Sequence, residues 1–237
     1  GWIEEVLPRT NELVRPPVAN IGYLVFVLAP QPEPDWGLLD TMLIMAFAQH
    51  IPPVIVINKC ELDPQLAETV RCDYAHTGVP IYEVSAKERL GLDALRQALS
   101  NGVCCFAGQS GVGKSALLTA MTGLSLQSGE ISRKIARGKN TTRHAELLEK
   151  DGFQVLDTAG FSLLSLWDKL EPVNLQQYYP EFQRYEGQCY FQPCYHNSEP
   201  GCAVLTAVAA GELPAARVER YHQLLAKAKE TWRNRYE

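Results

Sequence analysis

The sequence has no surplus of positive charge. Its 22 lysines and arginines stand against 27 aspartates and glutamates, for a net charge of -5 and a pI near 5.6. That balance excludes a protein coated uniformly in cations for nucleic acid and confines any RNA contact to a local patch. An uninterrupted apolar run of membrane-spanning length is also missing. The richest segment, LLDTMLIMAFAQHIPP at 38–53, is broken by Asp40, His50 and two prolines. The start carries no cationic, apolar and small-residue order that would read as a secretory signal. The seven cysteines are an odd number without a C-x-x-C pair, and Cys60, Cys72, Cys104 and Cys105 sit among apolar or helical stretches. A disulfide framework and a dithiol redox site are therefore excluded, and a soluble, cytoplasmic protein with no membrane partner is expected. An initiating methionine is absent too. The chain opens at Gly1 within GWIEEVLPRTNELVRPP, which reads as extended, so a missing N-terminal part is expected.

What is present supports one full α/β domain plus a smaller one, since 46% of the 237 residues are hydrophobic. The apolar run IGYLVFVLAP, of strand length, precedes a helical pattern over Leu38 to His50. The alternation then repeats: PVIVIN before PQLAETVRCDYAHTG, PIYEVSA before LDALRQALS, and GVCCFAG before KSALLTAMTG. Strands alternating with helices predict right-handed crossovers and a mostly parallel sheet covered on both faces. Residues 125–143 interrupt this order with glycine, serine and positive charge, and two short strands, AELLE and FQVLDTAG, follow. From about Asp168 the pattern changes to tyrosines, a cysteine-rich turn and two helical segments, the last placing Val218, Tyr221, Leu225, Ala228 and Trp232 on one face.

The phosphate-binding signal is GQSGVGKS, comprising Gly108, Gln109, Ser110, Gly111, Val112, Gly113, Lys114 and Ser115, which fits G-x-x-x-x-G-K-[ST] between a strand and a helix. Its glycines let backbone amides turn toward phosphate oxygens, Lys114 brings a cation to the β and γ phosphates, and the Ser115 hydroxyl suits magnesium. An ordinary glycine turn rarely satisfies every position of that pattern. VLDTAG ends the last strand and offers Asp157 to magnesium and the Gly160 amide to a γ phosphate. Thr141 and Thr142, between the two motifs, each offer a hydroxyl to the same ion, with Thr142 favoured.

Two weaker motifs precede the phosphate loop. In NKCE, Asn58, Lys59 and Glu61 follow a β-branched run, and a carboxylate there can accept from guanine N1–H and its exocyclic amine, which adenine does not offer in that arrangement. In SAK, Ser85, Ala86 and Lys87 end the next strand, with the Ala86 amide directed at the guanine oxygen. In an ordinary GTPase the phosphate loop comes first. The order N-K-x-E, S-A-K, phosphate loop, threonine loop, D-T-A-G is that sequence rotated, with every strand neighbour preserved, and predicts a circularly permuted P-loop GTPase.

CYFQPCYHNSEPGC supplies Cys189, Cys194, His196 and Cys202. Three thiolates and an imidazole in a short turn-rich segment make a closed tetrahedral zinc site of structural type, bound in a small, mostly helical C-terminal domain.

With these residues assembled, the chain resembles the small-ribosomal-subunit-dependent GTPase A family over nearly its whole length. The resemblance rests on the permuted order, GQSGVGKS, the Thr141–Thr142 pair, the D-T-x-G-F turn and the C…C-x-H…EPGC loop. It implies an N-terminal OB domain, of which residues 1–17 would be the remnant, a permuted GTPase domain at 18–167 and a zinc-binding domain at 168–237. It further implies a monomer that binds GTP or GDP with Mg2+ and one structural Zn2+, and works on the small ribosomal subunit and its rRNA, with hydrolysis stimulated by that subunit. Glu61 departs from the aspartate usual in that family. Phe161 follows D-T-A-G where many GTPases carry a water-orienting glutamine, so the catalytic group is expected from a mobile loop, with His144 as candidate, or from the ribosome. Arg133, Lys134, Arg137, Lys139 and Arg143 would meet RNA phosphates. A permuted GTPase with another client, or a binding module with a dead nucleotide site, are the alternatives from the residues alone.

Overall fold

A computed structural model describes residues 2, 4–5, 8–13, 18–123, 146–157, 167 and 170–235. Thr141, Thr142, His144, Gly160, Phe161 and the basic residues from Arg133 to Arg143 lie outside the described residues.

A short hairpin, β1 (Glu12–Leu13) with β2 (Val18–Ala19), precedes the main sheet. Asn11 ties it to the segment that leads into β3, its amide donating to Ile21 O at 2.9 Å and its oxygen accepting from Ile21 N at 2.8 Å. The main sheet contains β3 (Tyr23–Leu28), β4 (Pro53–Ile57), β5 (Ile81–Glu83), β6 (Val103–Ala107), β7 (Glu146–Lys150) and β8 (Phe153–Asp157) in the order β5-β4-β3-β6-β8-β7. All neighbours are parallel except β7, which pairs antiparallel with β8 at the edge.

Period-two alternation builds two apolar layers. Leu24, Phe26 and Leu28 of β3 join Ile55, Ile57, Cys105 and Ala107 beneath α1 (Trp36–Ala48) and α2 (Pro64–Asp73). Val25 and Val27 join Val54, Val56, Cys104 and Phe106 on the opposite face, covered by α3 (Leu92–Ala98) and α4 (Lys114–Thr122). The chain leaves edge strand β5 and returns beside β3, so the strand order reverses between β3 and β6. Ligands of open α/β sheets bind at such a reversal, outside the carboxyl ends of the strands.

Helix α1 is buried almost all round from Leu39 to Ala46, as an apolar helix with no polar face must be. One side lies on the sheet. The other is covered by the C-terminal part, whose core gathers Ile44 with Leu175, Tyr179, Phe182, Val204, Val218, Tyr221 and Leu225. That part consists of two 3-10 segments (Pro172–Tyr178 and Pro180–Tyr185), a cysteine-rich loop, α5 (Ala203–Ala209) and α6 (Ala215–Arg233). Of the face expected on α6, Val218, Tyr221, Leu225 and Ala228 are buried and Trp232 is half-buried.

Arg217 of α6 is fully buried among that apolar face. Its guanidinium meets Asp40 of α1 at 2.5 Å and Glu181 at 2.7 Å, and lies 4.2 Å from the Tyr179 ring centre. Arg220 reaches Asp40 at 3.0 Å and Asp73 at 2.9 Å, while the Tyr74 hydroxyl donates to Asp40 at 2.5 Å. Burial disfavours the Arg217 cation, but Asp40, Tyr179 and Glu181 outweigh it and hold its pKa well above the ordinary value. No helix among the described residues is long and apolar enough to cross a membrane.

Candidate nucleotide and metal sites

Among the described residues, four nucleotide motifs begin at the carboxyl edge of a sheet strand. The phosphate loop follows β6, N-K-C-E follows β4, S-A-K follows β5 through Val84, and Asp157 ends β8. Residues far apart in sequence therefore meet. Asn58 is buried and fastens three loops together, its Nδ2 donating to Val112 O at 2.9 Å and its Oδ1 accepting from Ala86 N at 3.1 Å.

Lys59 adopts a left-handed backbone (φ 61°) at the start of a 3-10 turn, Cys60–Leu62. Its ammonium donates to Gly111 O at 2.8 Å and Gln31 O at 2.7 Å, joining the phosphate loop to the β3–α1 loop. Gln109 makes a second tie to that loop, accepting from Asp35 N at 2.9 Å and donating to Glu33 O at 3.1 Å. Sequence motifs held no sign of Gln31, Glu33 or Asp35 as partners, because those residues matter through backbone atoms.

Two glycines of the loop are sterically required. A Cβ on Gly108 would collide with the Val27 carbonyl, and one on Gly113 would lie 2.5 Å from Asn58 Nδ2. Both also have positive φ, 140° and 91°. Lys114 at the start of α4 donates to the loop's own carbonyls, Gly108 O at 2.8 Å and Gln109 O at 2.7 Å. Burial lowers its pKa, which marks a cation held in a desolvated cradle suited to anionic oxygens. Ser115 follows it, half-buried.

Glu61 is exposed, and the neighbouring Ser85 hydroxyl, with smaller contributions from its own backbone amide, Lys87 and Lys59, keeps its pKa below the ordinary value. Asp63, two residues beyond the motif, caps α2 by accepting from Gln65 N at 2.9 Å. Glu61 is thus the acid of this stretch not spent on a helix cap, and Lys87 is exposed as well.

The second constellation is formed by Cys189, Cys194, His196 and Cys202, whose ligand atoms all lie within 4.8 Å of one another. His196 Nδ1 is 3.3 Å from Cys202 Sγ and 3.6 Å from Cys189 Sγ, and the latter two sulfurs are 4.0 Å apart. A tetrahedral ion with ordinary thiolate and imidazole bond lengths needs sulfur–sulfur edges of ~3.8 Å and sulfur–nitrogen edges of ~3.6 Å. The residues present therefore fit a closed four-ligand metal centre. Burial pushes the Cys194 thiol up to about 12, so an enclosed cation is what would favour its thiolate. His196 N donates to Cys194 Sγ at 3.4 Å and Ala203 N to Cys189 Sγ at 3.3 Å, directing dipoles at the sulfurs.

The metal loop is fastened from several sides. Tyr221 and His222 of α6 bond Tyr195 O and His196 O at 2.9 Å and 2.7 Å. Burial alone would raise the Glu199 carboxyl, but the amides of Asn197, Glu199, Tyr195 and Ser198 outweigh it and hold it at about 2.

A sheet of this order, with a phosphate loop placed third among its nucleotide motifs, defines a circularly permuted P-loop GTPase with a metal-binding C-terminal part. Residues 6–167 match the family model described as RsgA GTPase. A protein of Ruminiclostridium cellulolyticum named small ribosomal subunit biogenesis GTPase RsgA is 44% identical over 234 residues, covering 97% of this chain and 76% of the relative. A protein of the same name from Geobacillus kaustophilus is 44% identical over 237 residues, covering 97% and 80%. Among solved structures, YjeQ from Thermotoga maritima aligns with a TM-score of 0.80 at 34% identity, covering 95% of this chain and 77% of that one. YloQ, described as a circularly permuted GTPase, aligns with a TM-score of 0.75 at 33% identity, covering 95% and 74%. The chain belongs to the RsgA GTPase family.

Proposed function

We propose that this GTPase acts in late maturation of the small ribosomal subunit, in the cytoplasm and as a monomer, with its turnover stimulated by that subunit. The observation that carries the nucleotide reading is Asn58, whose side chain locks the phosphate loop to S-A-K. The ribosomal client follows from the name that the relatives carry.

In this reading residues 1–17 are the remnant of an N-terminal OB domain, 18–167 form the GTPase domain, and 168–237 form the zinc domain. The backbone of Gly108 to Ser115 receives the phosphates, and Lys114 transfers its hydrogen bonds from Gly108 O and Gln109 O to β and γ oxygens. Glu61 and the Ala86 amide read guanine, with Lys59, Ser85 and Lys87 shaping that pocket. Ser115, Thr142 and Asp157 hold magnesium, which supplies charge neutralisation on the phosphates when bound. Gly160 donates to the γ phosphate. Phe161 has no polar group to orient water, so His144 or a group from the ribosome assists attack. Cys189, Cys194, His196 and Cys202 hold one structural Zn2+, and the basic residues from Arg133 to Arg143 contact rRNA.

GTP and ATP turnover measured with and without small ribosomal subunits tests the proposal. Guanine-specific hydrolysis that rises with subunits and disappears in Lys114→Ala is expected. GTP hydrolysis indifferent to subunits would assign the enzyme to another client, and absence of nucleotide binding would leave only a binding module. Unchanged subunit-stimulated turnover in His144→Ala would remove that residue from catalysis.

A further inference from the structure

We propose that Gln176 is a positioning residue for the metal centre, fixing the tautomer and ring orientation of His196 and tying the cysteine loop to the segment that leaves the GTPase core. The proposal rests on the zinc reading of the Cys3His cluster. Gln176 lies in the 3-10 segment Pro172–Tyr178, outside the C-x4-C-x-H-x5-C spacing.

Its side-chain oxygen is 2.6 Å from His196 Nε2. Its amide nitrogen donates to Val173 O at 3.0 Å and to Cys194 O at 3.1 Å. Both amide hydrogens are thereby committed to carbonyls, and a flipped amide would set its oxygen against the two of them. An acceptor faces His196 Nε2, so that nitrogen carries the proton. The lone pair then resides on Nδ1, which is the nitrogen turned toward Cys202 and Cys189. The Phe182 ring, 5.5 Å away and nearly perpendicular, limits rotation of the imidazole.

Hydrogen bonding to the distal nitrogen raises the basicity of a histidine ligand and fixes its direction, and losing such a partner commonly weakens metal binding about 10–100-fold. The Cys194 carbonyl bond adds a second effect. One amide holds two of the four ligand residues in register, and it does so from the segment just beyond the GTPase core.

The test is a zinc competition titration against a chromophoric chelator, using the full chain and Gln176→Leu, which fills similar space without an acceptor. Zinc affinity is expected to fall by about 10–100-fold, while GDP affinity stays within twofold. In parent protein loaded with 113Cd2+ and labelled with 15N, coupling is expected through Nδ1, with a slowly exchanging proton on Nε2. Unchanged zinc affinity in a folded Gln176→Leu protein would overturn the proposal, as would coupling through Nε2 in the parent. Should the leucine variant not fold, the coupling in the parent decides alone. A parent protein that retains no zinc would instead sink the metal reading, and the role of Gln176 with it.

Discussion

Asn58 shows how much one side chain contributes to this site. It is 1% exposed, and its amide satisfies both a carbonyl of the phosphate loop and an amide of S-A-K. Asn58→Ala leaves both groups without a partner and is expected to cost ~1–3 kcal/mol of stability. Its effect on nucleotide affinity should be larger, because two loops lose their common tie; denaturant titration and GDP calorimetry on the same protein check both. Glu61 carries a pH signature. Its carboxyl is held below the ordinary range chiefly by Ser85, so the charged form persists as pH falls and its contribution is lost only on acidification through that depressed pKa. In Ser85→Ala the pKa returns upward, and guanine nucleotide affinity should begin to fall at a higher pH than in the parent. Parallel GDP titrations across the acid range would reveal the shift, and coincident curves would detach Ser85 from base recognition. These motifs were legible in the sequence because each is a contiguous string with fixed spacing. Gln31, Glu33 and Asp35 were not, since backbone atoms contact Lys59 and Gln109 without requiring particular side chains.

Among the elements, α1 bears on both halves of the chain. Its leading loop is fastened to the phosphate loop by Gln109, and its outer face carries Asp40 into the Arg217 and Arg220 cluster. The near-continuous apolar character of α1 was the sequence signal that a second layer must cover it. Which layer covers it was not readable. Arg217→Met removes the cation and leaves Asp40 and Glu181 buried without it, an arrangement expected to lower stability by ~3–5 kcal/mol. Arg220→Ala should cost less, because Arg220 is partly exposed and Arg217 still neutralises Asp40. Urea unfolding of the two variants side by side tests the order, and reduced hydrogen-exchange protection along α1 should accompany the first.

At the scale of the whole molecule, the permuted order puts the last nucleotide motif of the chain, at the end of β8, ahead of the C-terminal part that carries the cysteine loop. The C-terminal core is separate from the two sheet layers and shares Ile44 of α1 with the GTPase part. Metal removal should therefore act locally. Stripping the ion with a chelator is expected to expose amides of the cysteine loop, α5 and the outer face of α1, while β3, β4 and β6 remain protected. Hydrogen exchange followed by mass spectrometry would read this, and loss of protection across the whole sheet would contradict it.

The sequence by itself determined the strand–helix alternation, the permuted order of nucleotide motifs and the three cysteines and one histidine that gather in the C-terminal loop. Each is a local pattern whose chemistry follows from residue type and spacing. Only tertiary structure decided that Asn58 joins three loops, that Asp63 is spent on capping α2, that Asp40 meets Arg220 across 180 positions and that Gln176 faces His196. Those contacts depend on how packed layers bring distant surfaces together, and hydrophobic burial brings them together without leaving a spacing in the chain to record it.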